Sequence, residues 1–222
     1  MAADNTLQQT YQACGNDLGG AKVNEAFVEF LEKVVGKEVV DSFKEDHPVG
    51  FLQFMMQFEQ KKKVVKNDPT DQMSIEIPFA MHEAAVEVTR KRFADLVKEK
   101  QLQGVESNKS GMLIIGADVI QNIFKKSVQG IVDYVTTLLQ DSHLADVSQI
   151  LMVGGYSESA ILQSAIRSAF KGRVLVPADA SLCVLKGAVA FGHNPTIVTS
   201  RTARKTYMHA ISVPYDPVKH AG

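Results

Sequence analysis

Apolar residues along this chain change period several times, and each change marks an element. From Lys22 the positions Val23, Phe27, Phe30, Leu31 and Val34 recur at helical spacing, which predicts an amphipathic helix pausing at Gly36 and ending before Pro48. Pro48 then suits the first position of a second helix, reaching about residue 65, because a helix start leaves that N–H unpaired anyway. The stretch QMSIEIPF alternates apolar and polar, the period of a half-buried strand. Residues 80 to 102 read as a heavily charged helix and GMLIIG as a brief apolar strand. A long helix follows over 117 to 141, with Val119, Ile123, Val128, Ile131, Val135 and Leu138 inward. QILMV is apolar at four consecutive positions, which predicts a strand covered on both faces. After two glycines, Leu162, Ala165, Ile166 and Ala169 form one helix stripe. RVLVP is a second short strand, and DASLCVLKGAVAFG a further helix closed by Gly192 and Pro195. A polar strand near 6 to 13 opens the chain, and TYMHAISV reads as a strand near its end. Strands alternating with helices predict an α/β protein.

Composition narrows the classes. A chain of 222 residues buries a proper core, as one large domain or two small ones. Lys plus Arg is 24 against 25 Asp plus Glu, so no bulk field favours nucleic acid or an anionic membrane, and neither is expected as a partner. Cys14 and Cys183 lie too far apart in sequence to suggest a disulfide framework or a CxxC site. The opening MAADNTLQQT lacks the blocks of a signal peptide, and no apolar stretch approaches the ~20 residues of a membrane span. The expectation is a soluble, cytoplasmic protein. The six histidines show no metal-ligand spacing, so no metal site is expected.

The candidate chemistry sits at QILMVGGYSESAILQ. Gly154 and Gly155 remove two Cβ atoms where a strand meets a helix start, whose unpaired N–H groups favour an anion. Tight strand-to-helix turns use glycine for their own reasons too, so the stretch alone leaves both readings open. Adjacent glycines match neither G-x-G-x-x-G nor a P-loop, which argues against a Rossmann-type enzyme. VGGYSES also lacks the G-x-S-x-G of a hydrolase elbow. A second cluster comprises Glu59, Lys62, Lys63 and Lys66, whose spacing puts them on one helix face. Lysines at a helix carboxyl end and an i,i+4 pair are also its ordinary explanation. FLQFMMQF reads as core. Followed by KKKVVK it could also imitate a calmodulin-target helix, a weaker reading.

ILMVGGYSESAILQSAI followed by RVLVPADASLCVLKGAVAFG resembles the adenosine-binding turn of the heat-shock protein 70 superfamily and of actin-like ATPases. DLGGAKVNEAFVEFL resembles that family's leucine-glycine-glycine segment, and FEQKKKVVK followed by SIEIP its lysine-bearing helix and next strand. FEQKKKVV, KGAVAFG and TYMHAISVPYDPVKH are most similar to the divergent member-12 branch. The resemblance implies the second lobe of an actin-like nucleotide-binding domain over residues 1–192. Within it lies a mixed sheet flanked by helices and a helix-and-strand insertion subdomain at about 21–116. Residues 193–222 would form a return segment and truncated tail.

The ligand it implies is ATP or ADP, contacted by Gly154, Gly155, Tyr156, Glu158, Glu59, Lys62, Lys63, Lys66, Gly19 and Gly20. Both phosphate loops of the family are missing from these residues, so magnesium is expected only with those loops, and hydrolysis is not expected of this chain alone. Where typical chaperones place an arginine against the adenine, this chain has Glu158, which cannot stack as a guanidinium does. That departure supports a rival, a non-catalytic interaction module that keeps the fold without the nucleotide. A protein partner, or self-association, is expected at the surface that would face a first lobe. Lys62 and Lys63 are also expected to be removable with little change in melting temperature.

Overall fold

The computed structural model describes residues 6–108 and 110–210. A short strand β1 (Leu7–Gln8) leads through a loop into three helices, α1 (Gly20–Val35), α2 (Lys37–Asp46) and α3 (Pro48–Val64). Strand β2 (Gln72–Glu76), helices α4 (Phe79–Thr89) and α5 (Phe93–Lys100), and strands β3 (Val105–Ser107) and β4 (Met112–Gly116) follow. The long α6 (Ala117–Leu138) then leads to β5 (Ile150–Leu151), α7 (Ala160–Ala169), β6 (Val174–Leu175), α8 (Cys183–His193) and β7 (Val198–Ser200). The architecture is α/β, with its strands in three small sheets: β1 beside β7 in parallel, antiparallel β2-β4-β3, and β5 beside β6 in parallel.

The periodic stripes do what their spacing implies. Val23, Phe27, Phe30, Leu31 and Val34 of α1 are all buried. Phe27 stacks on Phe58 of α3 with centroids 3.8 Å apart, which fixes α1 against α3. Gly36 has φ +99°, so one residue closes α1 and opens α2. On α6 the buried residues include Ile120, Ile123, Phe124 and Val128, packed in one core that runs from Val23 of α1 to Phe170 after α7.

Four expectations change. The helix expected over 80–102 is broken at Arg90, which adopts the left-handed conformation with φ +60°. Phe93 explains the break: it is fully buried and meets His82 of α4 edge-on at 5.4 Å, so the chain must turn back on itself. Strand β3 was not anticipated, because only Val105 of its three residues is buried. The QILMV strand is covered on one face only: Met152 is buried, whereas Leu151 is 60% exposed and Val153 exposed. A covered parallel strand needs a layer on each side, and here Ile150 and Val174 pack into the core while Leu151 and its register partner Leu175 face solvent. Of the strand expected at 206–213, residues 206–210 carry no regular structure and the rest lies outside the described residues; the pairing segment is β7 instead.

Candidate functional site

Three separate segments wall one cleft of about 300 Å³: the start of α1, the end of α3, and the turn before α7. From the first come Gly20 and Ala21, from the second Glu59, Lys62 and Lys63, from the third Gly155, Tyr156 and Ser159, with Phe124 of α6 beneath. Gly20, Glu59, Lys62, Lys63, Gly155 and Tyr156, all singled out from sequence, therefore meet in one place. Gly19, Lys66, Gly154 and Glu158 do not line the cleft, and each has a different reason.

Gly19 is the N-cap of α1 and sits just outside. Having no side chain, it leaves the first-turn N–H groups of α1 without a side-chain cap, and that turn carries no acid. The positive end of α1 is thus open beside the cleft. Lys66 lies beyond the helix, because Val65 turns to extended backbone at φ −61°, ψ 131°. The face shared by four residues on paper is shared by three in the fold. Lys66 instead donates its backbone N–H to Asp71 at 2.7 Å. Gly154 shapes the turn from behind: its φ of +93° and ψ of 166° lie where essentially only glycine is stable, and its N–H donates to Ala180 O at 2.8 Å. Glu158 points away, accepting the Ser181 N–H at 3.3 Å just before α8.

The lysines divide in function. Lys62 is only 6% exposed, and its ammonium donates to Gly20 O at 2.9 Å, Asn24 Oδ1 at 2.7 Å and Glu59 Oε1 at 2.6 Å. An ammonium has three protons, so every donor is spent inside the protein. Lys62 clamps α1 to α3. The expectation that it bears no structural load is therefore wrong. Lys63 is exposed, lines the cleft, and makes no hydrogen bond or ion pair among the described residues. Asn24, which the sequence did not single out, completes the clamp by donating to Glu59 Oε1 at 2.7 Å. Its only signal was its place four residues after Gly20.

Glu59 uses one oxygen for both donors, leaving Oε2 without a partner among the described residues. Burial opposes its charge, but the hydrogen bonds from Lys62 and Asn24 outweigh that, and its carboxyl titrates below the ordinary value. Tyr156 covers Gly20: a Cβ there would lie 3.6 Å from the ring and 3.4 Å from Lys62 Nζ. Its phenol is raised by burial, partly offset by its bond to Ser127 Oγ at 2.9 Å, and Ser127 donates onward to Leu18 O at 2.7 Å. That relay ties the turn, α6 and the loop before Gly19 together. Leu18 in turn needs Gly130, where an added Cβ would come within 2.9 Å of it. Beside Gly155 an added Cβ would meet nothing, so that stretch of backbone is bare on the cleft side.

No group of three His, Cys, Asp or Glu residues that could hold a metal is present among the described residues, nor a helix long and apolar enough to cross a membrane. No family model matches the chain. Heat shock 70 kDa protein 12A of Mus musculus is 28% identical over 216 residues, which is 96% of this chain and 32% of that protein. The Homo sapiens 12A protein gives the same figures, and heat shock 70 kDa protein 12B of Homo sapiens is 28% identical over 218 residues. This chain is thus similar to the member-12 heat shock 70 kDa proteins along nearly its whole length. It spans about a third of the length of these member-12 relatives. Its α/β architecture is consistent with a lobe of the actin-like ATPase fold that the sequence resemblance implies.

Away from the cleft, the amino-terminal strap is pinned by Asp141. Tyr11 donates to Asp141 Oδ2 at 2.8 Å, and Oδ1 accepts the His143 N–H at 2.9 Å. The backbone bond from His143, then that from Tyr11, lowers the carboxyl to about 2. A folded value below the unfolded one means its stabilisation is complete above the unfolded value of ~3.9 and is lost as pH falls towards 2. The protection factors of the amides of residues 7–12, taken relative to the intrinsic exchange rate at each pH, should therefore fall between about pH 4 and 2, and in Asp141→Asn they should already be low at pH 6. Equal protection in both proteins at pH 6 would show that the strap is held by β1–β7 pairing alone.

Proposed function

We propose that this chain binds an adenine nucleotide, ATP or ADP, in the cleft between α1, α3 and the Gly154–Gly155 turn, and does not hydrolyse it by itself. The observation that carries this reading is the convergence of Gly20, Lys63, Glu59 and Gly155, drawn from three distant segments, on one pre-clamped cleft. Lys63 and the open amino end of α1 supply positive charge for phosphate. The free oxygen of Glu59 can accept from sugar hydroxyls, and the bare backbone at Gly155 lets a flat base approach. Gly19 and Gly154 shape the backbone around this site, whereas Lys66 and Glu158 are turned to other partners and take no part in it.

In this reading residues 21–116 are an inserted subdomain, 193–222 a return segment, and the nucleotide-dependent, chaperone-like work belongs to a longer assembly in the cytoplasm. Phosphoryl transfer needs a clamped γ-phosphate, a placed magnesium ion and an aligned water, and its rate comes from that positioning. The cleft residues supply affinity and none of those. Binding should accordingly be weak, with a dissociation constant in the ~0.1–1 mM range, and phosphate release from magnesium ATP should stay at background. Calorimetric titration with ADP tests the first part; turnover that vanishes in Gly154→Val would refute the second. The second reading, an interaction module without nucleotide, is favoured by one observation: Glu158 is engaged by Ser181 and offers the base nothing. No heat with ADP, ATP or GTP would select it.

A further inference from the structure

Ser159 lines the cleft and is only 4% exposed. It is the N-cap of α7, and its Oγ accepts the Leu162 N–H at 3.4 Å. Its backbone is held on both sides: the N–H donates to Tyr156 O at 3.1 Å, and the carbonyl accepts the Gln163 N–H at 2.9 Å. A serine hydroxyl accepts through its lone pairs and donates through one proton. Capping uses the first capacity and leaves the second, because the Ser159 proton has no acceptor among the described residues. A buried donor left unmade is costly. An unspent proton fixed on the wall of a cleft therefore marks where a ligand completes the bond.

The neighbouring polar side chains are committed elsewhere. Tyr156 shares its phenol with Ser127 Oγ at 2.9 Å, and Glu158 accepts the Ser181 N–H. Lys62 spends its protons on Gly20, Asn24 and Glu59. Lys63 keeps its protons, but they carry a full charge on an exposed side chain and suit phosphate. Ala21 and Phe124 are apolar, and the backbone at Gly155 is bare. We infer, on the nucleotide reading above, that Ser159 is the residue that reads the base: its hydroxyl donates to a ring nitrogen of a purine lying over Gly155. A ring nitrogen is an acceptor and takes the proton, whereas an exocyclic amino group would leave it unspent. Base recognition then comes from the start of α7 and not from Glu158.

The test uses ADP and its three deaza analogues, in which N1, N3 or N7 is replaced by C–H, each followed by amide shifts of the isotope-labelled chain. One analogue should bind the unmodified chain about three- to tenfold more weakly than ADP, the worth of one hydrogen bond. Ser159→Gly removes the hydroxyl, and because glycine is an acceptable N-cap its melting temperature should stay close to that of the unmodified chain. This variant should bind ADP more weakly by the same factor and lose nothing further with that analogue. Analogues that all match ADP in the unmodified chain overturn the inference. So does a discrimination that Ser159→Gly retains in full, which would put the contact on another residue. An unmodified chain that binds neither ADP nor any analogue overturns the nucleotide reading itself, and the role of Ser159 with it.

Discussion

Lys62→Ala should lower the stability of the folded chain by about 2–4 kcal/mol, whereas Lys63→Ala should leave it within about 0.5 kcal/mol. The asymmetry follows from where two adjacent lysines put their ammonium groups. Removing Lys62 strips a buried cation of three bonds and leaves Gly20 O, Asn24 Oδ1 and Glu59 Oε1 to find other donors. Water can reach half-exposed Glu59, which keeps the cost below that of a fully buried pair. For a chain of this length the loss corresponds to a melting temperature lower by roughly 5–12 °C. Lys62→Met, which keeps the stem, should recover a minority of it, since packing is the lesser part. Equal melting temperatures for Lys62→Ala and the unmodified chain would mean that α1 and α3 are held by the packing of Phe27 on Phe54 and Phe58 without the clamp. Binding should show the opposite ranking: Lys63→Ala weakens ADP severalfold with the fold intact, which separates a ligand contact from a clamp.

Gly154→Val should be the second most damaging single change, at about 1–3 kcal/mol. The backbone at φ +93°, ψ 166° is closed to a β-branched residue whatever space surrounds it, and there is ample space. To relieve the strain the turn must rotate, which costs the Gly154 N–H bond to Ala180 O and the bonds of Ser157 N and Oγ to Gly154 O. Gly155→Ala is the control: no positive φ and no neighbour oppose it, so stability should hold while nucleotide affinity falls if the base packs there. Thermal melts of the two variants compare them directly, and a Gly154→Val protein as stable as the unmodified chain would show that the turn tolerates another conformation.

How much of this could be read from residues alone varies by element. The long helices were legible because burial repeats every third or fourth residue, as along Val23, Phe27, Phe30 and Val34. The break at Arg90 was not, since neither glycine nor proline marks it and the cause is a tertiary contact of Phe93 with His82. The strands β5 and β6 were legible as short apolar runs, but not their open face, which depends on what covers the sheet and not on the run itself. Identity and spacing put Glu59, Lys62 and Lys63 on one helix face, but not which lysine is spent: that depends on Asn24 and on Gly20 O, brought in by the packing of α1 on α3. Lys66 was misplaced because Val64 and Val65 carry no helix stop signal, and Glu158 because its partner, Ser181, lies in another segment. Asn24 was missed altogether.

The central claim is that a nucleotide occupies the cleft between α1, α3 and the glycine turn. Backbone amide shifts of the isotope-labelled chain, followed while ADP is added to several millimolar, test it most directly. Saturable shifts confined to Gly20, Ala21, Lys63, Gly155, Tyr156 and their neighbours are expected, reduced in Lys63→Ala. Shifts absent over the whole titration, or saturable shifts centred on any other part of the fold, would contradict it.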